Sequence, residues 1–167
     1  MASMGPSDRL RGAMAKRALG VDWGKRRIGL ALSDPSGLLA RPFKAMQVSP
    51  QTALARLLEE VETLARDDDG LAVVVVGVPR QLDGTTTDAT AAALALMDAL
   101  RERLDIPVVA EDERLSSREA EARLAIHEKD WRRRKAQLDA AAAAVFLQDF
   151  LDRQDRTSMD VAPSIRR

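Results

Sequence analysis

The sequence predicts an α/β protein, a mixed β-sheet flanked by helices. Three observations carry this: two short apolar runs around a Gly-Lys-Arg-Arg turn, a continuous apolar run at residues 71–78 dominated by β-branched valines, and helical periodicity on either side of that run. An antiparallel hairpin followed by β-α alternation requires a sheet of mixed direction with helices packed on its faces.

Residues 18–23 and 28–33 are the strands of the hairpin, with Gly24-Lys25-Arg26-Arg27 as its turn. A third strand covers 39–48, and Pro42 places it toward an edge, because proline cannot donate to a ladder. Ser49-Pro50 reads as a helix start, with Ser as cap and Pro in the first turn. Leu54, Leu57, Leu58, Val61 and Leu64 follow at helical spacing, until Asp67 to Gly70 ends the helix. Residues 71–78 suit a strand covered on both faces. A loop at 79–87 contains the turn signal Asp83-Gly84, and a helix follows over 88–104. A short strand spans 106–110, closed by Asp112 and Glu113, and Ser116 to Glu119 forms a capping box for another helix. The charged stretch 127–135 reads as a loop, 136–151 as a buried alanine-rich helix, and 154–167 as a polar tail. The order β-β-β-α-β-α-β-α-α is that of the RNase H fold and of the halves of actin-like ATPases. The expected organisation is a leader at 1–17, one domain at 18–152 and a tail at 153–167.

The chain has 167 residues, enough for one domain with its own core. Its 26 basic and 26 acidic side chains cancel, so any nucleic-acid contact must come from local clusters. The absence of cysteine excludes disulfides, thiolate metal sites and cysteine nucleophiles. No apolar run approaches the roughly 20 residues that span a bilayer, and residues 1–17 lack the apolar stretch of a secretion signal. A cytoplasmic protein without membrane contact is the expectation.

Three acidic positions stand out. Asp22 ends the first strand, where a carboxylate among apolar neighbours is costly unless paired or bound to a cation. A turn-forming Asp is the ordinary alternative. Asp112 and Glu113 point to opposite faces of their strand, so only one of them joins a given site; the ordinary alternative is an ion pair with Arg114. Asp139 opens the alanine-rich helix, where it would also suit the helix dipole. The alanines after it allow close approach to a sheet. Carboxylates converging from separate elements can hold Mg²⁺ or Mn²⁺ for phosphodiester hydrolysis, chemistry that needs no Cys and no His. Asp22, Asp139 and one of Asp112 and Glu113 should then lie within about 8 Å of a common point. The basic residues Lys25, Arg26, Arg27, Arg80, Arg114, Arg132, Arg133, Arg134 and Lys135 would grip a phosphate backbone. Trp131 could stack on a base, although packing is the commoner use; Trp23 reads as packing and His127 as surface.

Several motifs together resemble the YqgF/RuvX family of pre-16S rRNA nucleases and Holliday-junction-resolvase-like proteins. They are Val21-Asp22-Trp23-Gly24 with Arg27-Ile28-Gly29 and Ser33-Asp34; Val76-Gly77-Val78-Pro79 with Asp83-Gly84-Thr85; Asp112-Glu113-Arg114-Leu115-Ser116-Ser117; and Asp139-Ala140-Ala141 with Leu147-Gln148. The resemblance runs in order over roughly residues 18–152. It implies an RNase H-like fold and a metal-dependent nuclease with acidic residues at Asp22, the Asp112/Glu113 pair and Asp139; of the pair, Glu113 is taken as the ligand beside Asp22 and Asp139, with Asp112 the alternative. It also implies RNA (precursor rRNA) or structured DNA as partner. The oligomeric state is open, a homodimer included. A non-catalytic RNA-binding assembly factor gains nothing from clustered acids, and an actin-like phosphotransferase needs a second phosphate loop and a second domain that this chain lacks.

Overall fold

A computed structural model of the chain describes residues 16–79, 85–112 and 131–160. Five strands, β1 (Arg17–Trp23), β2 (Arg27–Ser33), β3 (Ala40–Gln47), β4 (Leu71–Val78) and β5 (Val108–Asp112), form one sheet in the order β3-β2-β1-β4-β5. β1 pairs antiparallel with β2 and β2 with β3, whereas β1, β4 and β5 run parallel. The helices are α1 (Ala53–Arg66), α2 (Asp88–Arg103) and α3 (Trp131–Asp160).

Side-chain alternation divides the core into two layers. Leu19, Val21, Ile28, Leu30, Val74 and Val76 face α1 and α2, which contribute Leu57, Val61, Met97 and Leu100. Ala18, Ala31, Val73 and Val75 face α3, which contributes Ala143, Phe146, Leu147 and Phe150. The unbroken apolar run of β4 is thus explained: it is covered on both faces. β3 is an edge strand, as Pro42 predicted, and its ladder with β2 shifts register between Leu30 and Ala31, which leaves Phe43 as the extra residue.

Several boundaries differ from the sequence expectation. Residues 49–52 form a tight turn, not helix: Thr52 N donates to Ser49 O at 3.1 Å, and Thr52 is the residue before α1. β5 begins at Val108, two residues late, because Pro107 offers only its carbonyl, to Val74 N at 2.9 Å. Thr87 and Thr90 cap α2 reciprocally, a signal the sequence reading missed. Arg17, at the boundary between the expected leader and the hairpin, belongs to β1; its guanidinium contacts Gly70 O, Leu64 O and Asp67. The largest correction concerns α3. It takes in 131–135, expected as loop, and 153–160, expected as tail. Arginine and lysine are good helix formers, and water screens their repulsion where Arg133 and Lys135 are exposed. The turn Asp83-Gly84, the capping box from Ser116 and His127 lie outside the described residues. Among the described residues, no helix is long and apolar enough to cross a membrane.

Candidate active site

Because β1, β4 and β5 are parallel, their carboxyl ends share one edge of the sheet, the usual location of sites in open α/β sheets. Asp22 lies there, one residue before the end of β1, and is half-buried. Its antiparallel partner is Gly29. Directly opposed residues project to the same face, and Gly29 lies against the backbone of α3 at Asp139 and Ala140. Asp22 and Asp139 are therefore on the same face of the sheet, one on the hairpin and the other on the helix.

Asp139 does not open its helix. It lies well inside α3, so the helix dipole does not account for its charge. Its carboxylate Oδ2 accepts from Nε of Arg27 at 2.8 Å, and both side chains are about a quarter exposed, at 26% and 24%. Arg27, expected as a phosphate contact, is thus the direct counter-ion of this carboxylate.

β5 separates its acids by parity. Asp112 is level with Val78 and shares the side of Val108, which is packed into the α1 and α2 layer. By that parity it projects to the opposite face of the sheet from Asp22. Glu113 lies outside the described residues. Glu111, which the sequence reading passed over, is on the α3 side, buried at 5% exposure and ion-paired with Arg153. Strand parity pointed to it, but nothing in the sequence named an arginine 42 positions away as its partner.

Beside Asp139 a cleft of about 860 Å³ opens between the hairpin turn, the end of β3 and α3. Lys25, Arg26, Arg27 and Lys135 line it, with Gly24, Gln47, Val48, Ser49 and Pro50. Lys25 and Arg26 are exposed. Arg133 is exposed on α3, while Arg80, Arg114 and the side chains of Arg132, Arg134 and Trp131 lie outside the described part. Trp23 packs on the α1 and α2 layer, as expected. Asp34 is not part of this region. It accepts from Leu38 N and Leu39 N, both at 2.9 Å, and from the Ser36 hydroxyl. The Leu39 amide first and the Ser36 hydroxyl second hold its carboxyl below the usual range.

The donor chemistry suits a hard divalent cation: oxygen ligands and no thiolate. Among the described residues no three His, Cys, Asp or Glu side chains converge as a metal site. Asp22 and Asp139 present two carboxylates on one face.

The fold matches solved resolvases. The yeast mitochondrial Holliday junction resolvase aligns with a TM-score of 0.50 and 13% identity, covering 92% of this chain and 86% of that one. The Fowlpox virus resolvase aligns with a TM-score of 0.50 and 10% identity, covering 82% and 97%. At these identities the likeness establishes the fold. Sequence relatives are much nearer. A Roseiflexus sp. (strain RS-1) protein named "Putative pre-16S rRNA nuclease" is 39% identical over 139 residues, 83% of this chain and 95% of its own length. Proteins of the same name from Anaeromyxobacter sp. (strain K) and Salinibacter ruber are each 40% identical, over 138 and 140 residues; the alignments cover 83% and 82% of this chain and 98% and 93% of theirs. Fold and relatives together define a hydrolase of the nuclease class on an RNase H-like scaffold. The family model described as "RuvX: Holliday junction resolvase" matches residues 16–153, and the chain belongs to that family.

Proposed function

We propose that Asp22, Asp139 and Glu113 hold Mg²⁺ or Mn²⁺ and that the protein hydrolyses phosphodiester bonds in maturing the 5′ end of pre-16S rRNA. The observation that supports this reading is that Asp22 and Asp139 lie on one sheet face, with Asp139 beside a cleft lined by four basic side chains. When bound, such a cation lowers the pKa of a coordinated water and stabilises the leaving oxygen. Asp22 offers its carboxylate from the rigid end of β1, and Asp139 offers its own from α3. Lys25, Arg26 and Lys135 bind the backbone through charge, without reading bases. Glu113, which lies outside the described residues, is taken over Asp112 as the third ligand on the motif Asp112-Glu113-Arg114. The relatives' name favours the precursor rRNA, and the family description favours a branched DNA as the competing substrate.

The deciding experiment offers precursor rRNA, single-stranded RNA and a four-way DNA junction to the parent, Asp22→Asn and Asp139→Asn, with Mg²⁺ or Mn²⁺ and an EDTA control. Metal-dependent cleavage of the precursor, abolished in both variants with binding retained, is the expected result. Preferential junction cleavage would move the substrate to DNA. Binding with equal and negligible cleavage by all three proteins would leave a non-catalytic assembly factor.

A further inference from the structure

Gly29 touches both carboxylate-bearing elements, β1 beside it in the sheet and α3 above it. It is the ladder partner of Asp22 on β1, and it is buried beneath the α3 backbone. A Cβ at this position would be 2.2 Å from the carbonyl oxygen of Asp139, 2.3 Å from its carbonyl carbon and 2.9 Å from Ala140 N. These are main-chain atoms of a packed helix, which cannot turn aside as a side-chain tip can. Gly20 provides an internal comparison. It lies on the same face under the same helix, yet a Cβ there would meet Ala143 O and Leu147 Cβ only at 3.1 Å.

We propose that Gly29 is a positioning residue for the carboxylate pair: its lack of a side chain sets how deeply α3 is seated at Asp139, and hence how far Asp139 is from Asp22. This rests on the reading of Asp22 and Asp139 as metal-holding groups. Relieving the contact in Gly29→Ala requires α3 to retreat by about 1 Å at that point, and a displacement of that size costs on the order of 100-fold in rate. The seating at Gly20 needs only a few tenths of an ångström. Substitution there disturbs the same helix–hairpin packing without moving Asp139 comparably.

The test measures Mn²⁺ affinity by calorimetry without RNA, together with kcat and KM for RNA. Gly29→Ala should weaken Mn²⁺ binding at least tenfold and lower kcat about 100-fold, with KM within threefold of the parent. Gly20→Ala should stay within threefold on all three. Asp139→Glu leaves the packing intact and probes the same spacing should Gly29→Ala not fold. In the parent background its extra methylene should overshoot and weaken Mn²⁺ at least tenfold; in the Gly29→Ala background it should restore part of the loss. Asp22→Asn and Asp139→Asn separate the two levels of the argument. Loss of Mn²⁺ binding in both, with parental binding in Gly29→Ala or in Asp139→Glu, overturns the positioning role alone. Parental Mn²⁺ binding and cleavage in both Asn variants overturns the carboxylate reading beneath it.

Discussion

If Asp139 is a ligand as proposed, replacing Arg27 by alanine should make the protein slightly less stable and tighten its hold on the cation. Nε of Arg27 is 2.8 Å from Oδ2 of Asp139, and the two side chains are 24% and 26% exposed. At an effective dielectric of about 20, charges about 4 Å apart attract by about 4 kcal/mol. Desolvation and the ordering of two side chains consume most of this, leaving about 1 kcal/mol for a partly exposed pair. The variant should therefore melt roughly 2–4 °C lower. A divalent cation must compete with the guanidinium for the same oxygen. Removing about 1 kcal/mol of competition strengthens binding roughly fivefold, on the scale where 1.4 kcal/mol is tenfold. Calorimetric titration of Mn²⁺ without RNA, alongside thermal melts, measures both effects. Arg27→Lys keeps the charge and should stay near the parent in affinity. Weaker Mn²⁺ binding by Arg27→Ala would refute the competition and make Arg27 a group that orients Asp139.

Other perturbations reach different parts of the molecule. Arg153→Met leaves the buried Glu111 carboxylate without its ion-pair partner. Loss of one partner of a buried pair costs about 3–5 kcal/mol, discounted here to about 1–3 because Arg153 is half exposed, and adding Glu111→Gln should recover much of it in urea melts. Asp34 has a depressed folded pKa, so its ionised form contributes stability above the unfolded value near 3.9 and loses it as pH falls through the lower folded value. Asp34→Ala should accordingly lower stability at pH 7, with the gap to the parent narrowing below about pH 4 in thermal melts. Reversing Lys25 and Arg26 to Glu should weaken RNA binding across sequences and flatten its salt dependence by about one to two units of log–log slope, while kcat at saturating RNA is kept. Unchanged salt dependence would make the cleft lining ordinary solvated surface.

Elements whose pattern is dictated by the core were legible in the sequence. The run at residues 71–78 became β4 with both boundaries as read, because a strand covered on two faces has no polar residue to blur its ends. The Ile28 and Leu30 side of the hairpin was equally plain. The start of α3 was not, because Arg132, Arg133, Arg134 and Lys135 carry no apolar periodicity, and a solvated helical turn resembles a loop in composition. That error moved Asp139 from a helix terminus to a helix interior. In the candidate site, alternation left open which of Asp112 and Glu113 shares the face of Asp22, and the face of Asp112 could be read only once Val108 was known as a core anchor. The partnerships of Arg27 with Asp139 and Arg153 with Glu111 join positions far apart in the chain, and local spacing carries no trace of them.

The seating of α3 on a completed sheet also has a consequence in time. Synthesis proceeds from the amino terminus, so Asp22 and the hairpin emerge early and Asp139 only after all five strands. A nascent chain can close its sheet and pack α1 and α2 while the α3 face is still bare. Docking of α3 covers that face and, in the same event, brings the second carboxylate to the first. On the proposed chemistry, incomplete copies of this nuclease would have the scaffold without the means to cut, and RNA near the ribosome making them would be safe until the last helix arrives.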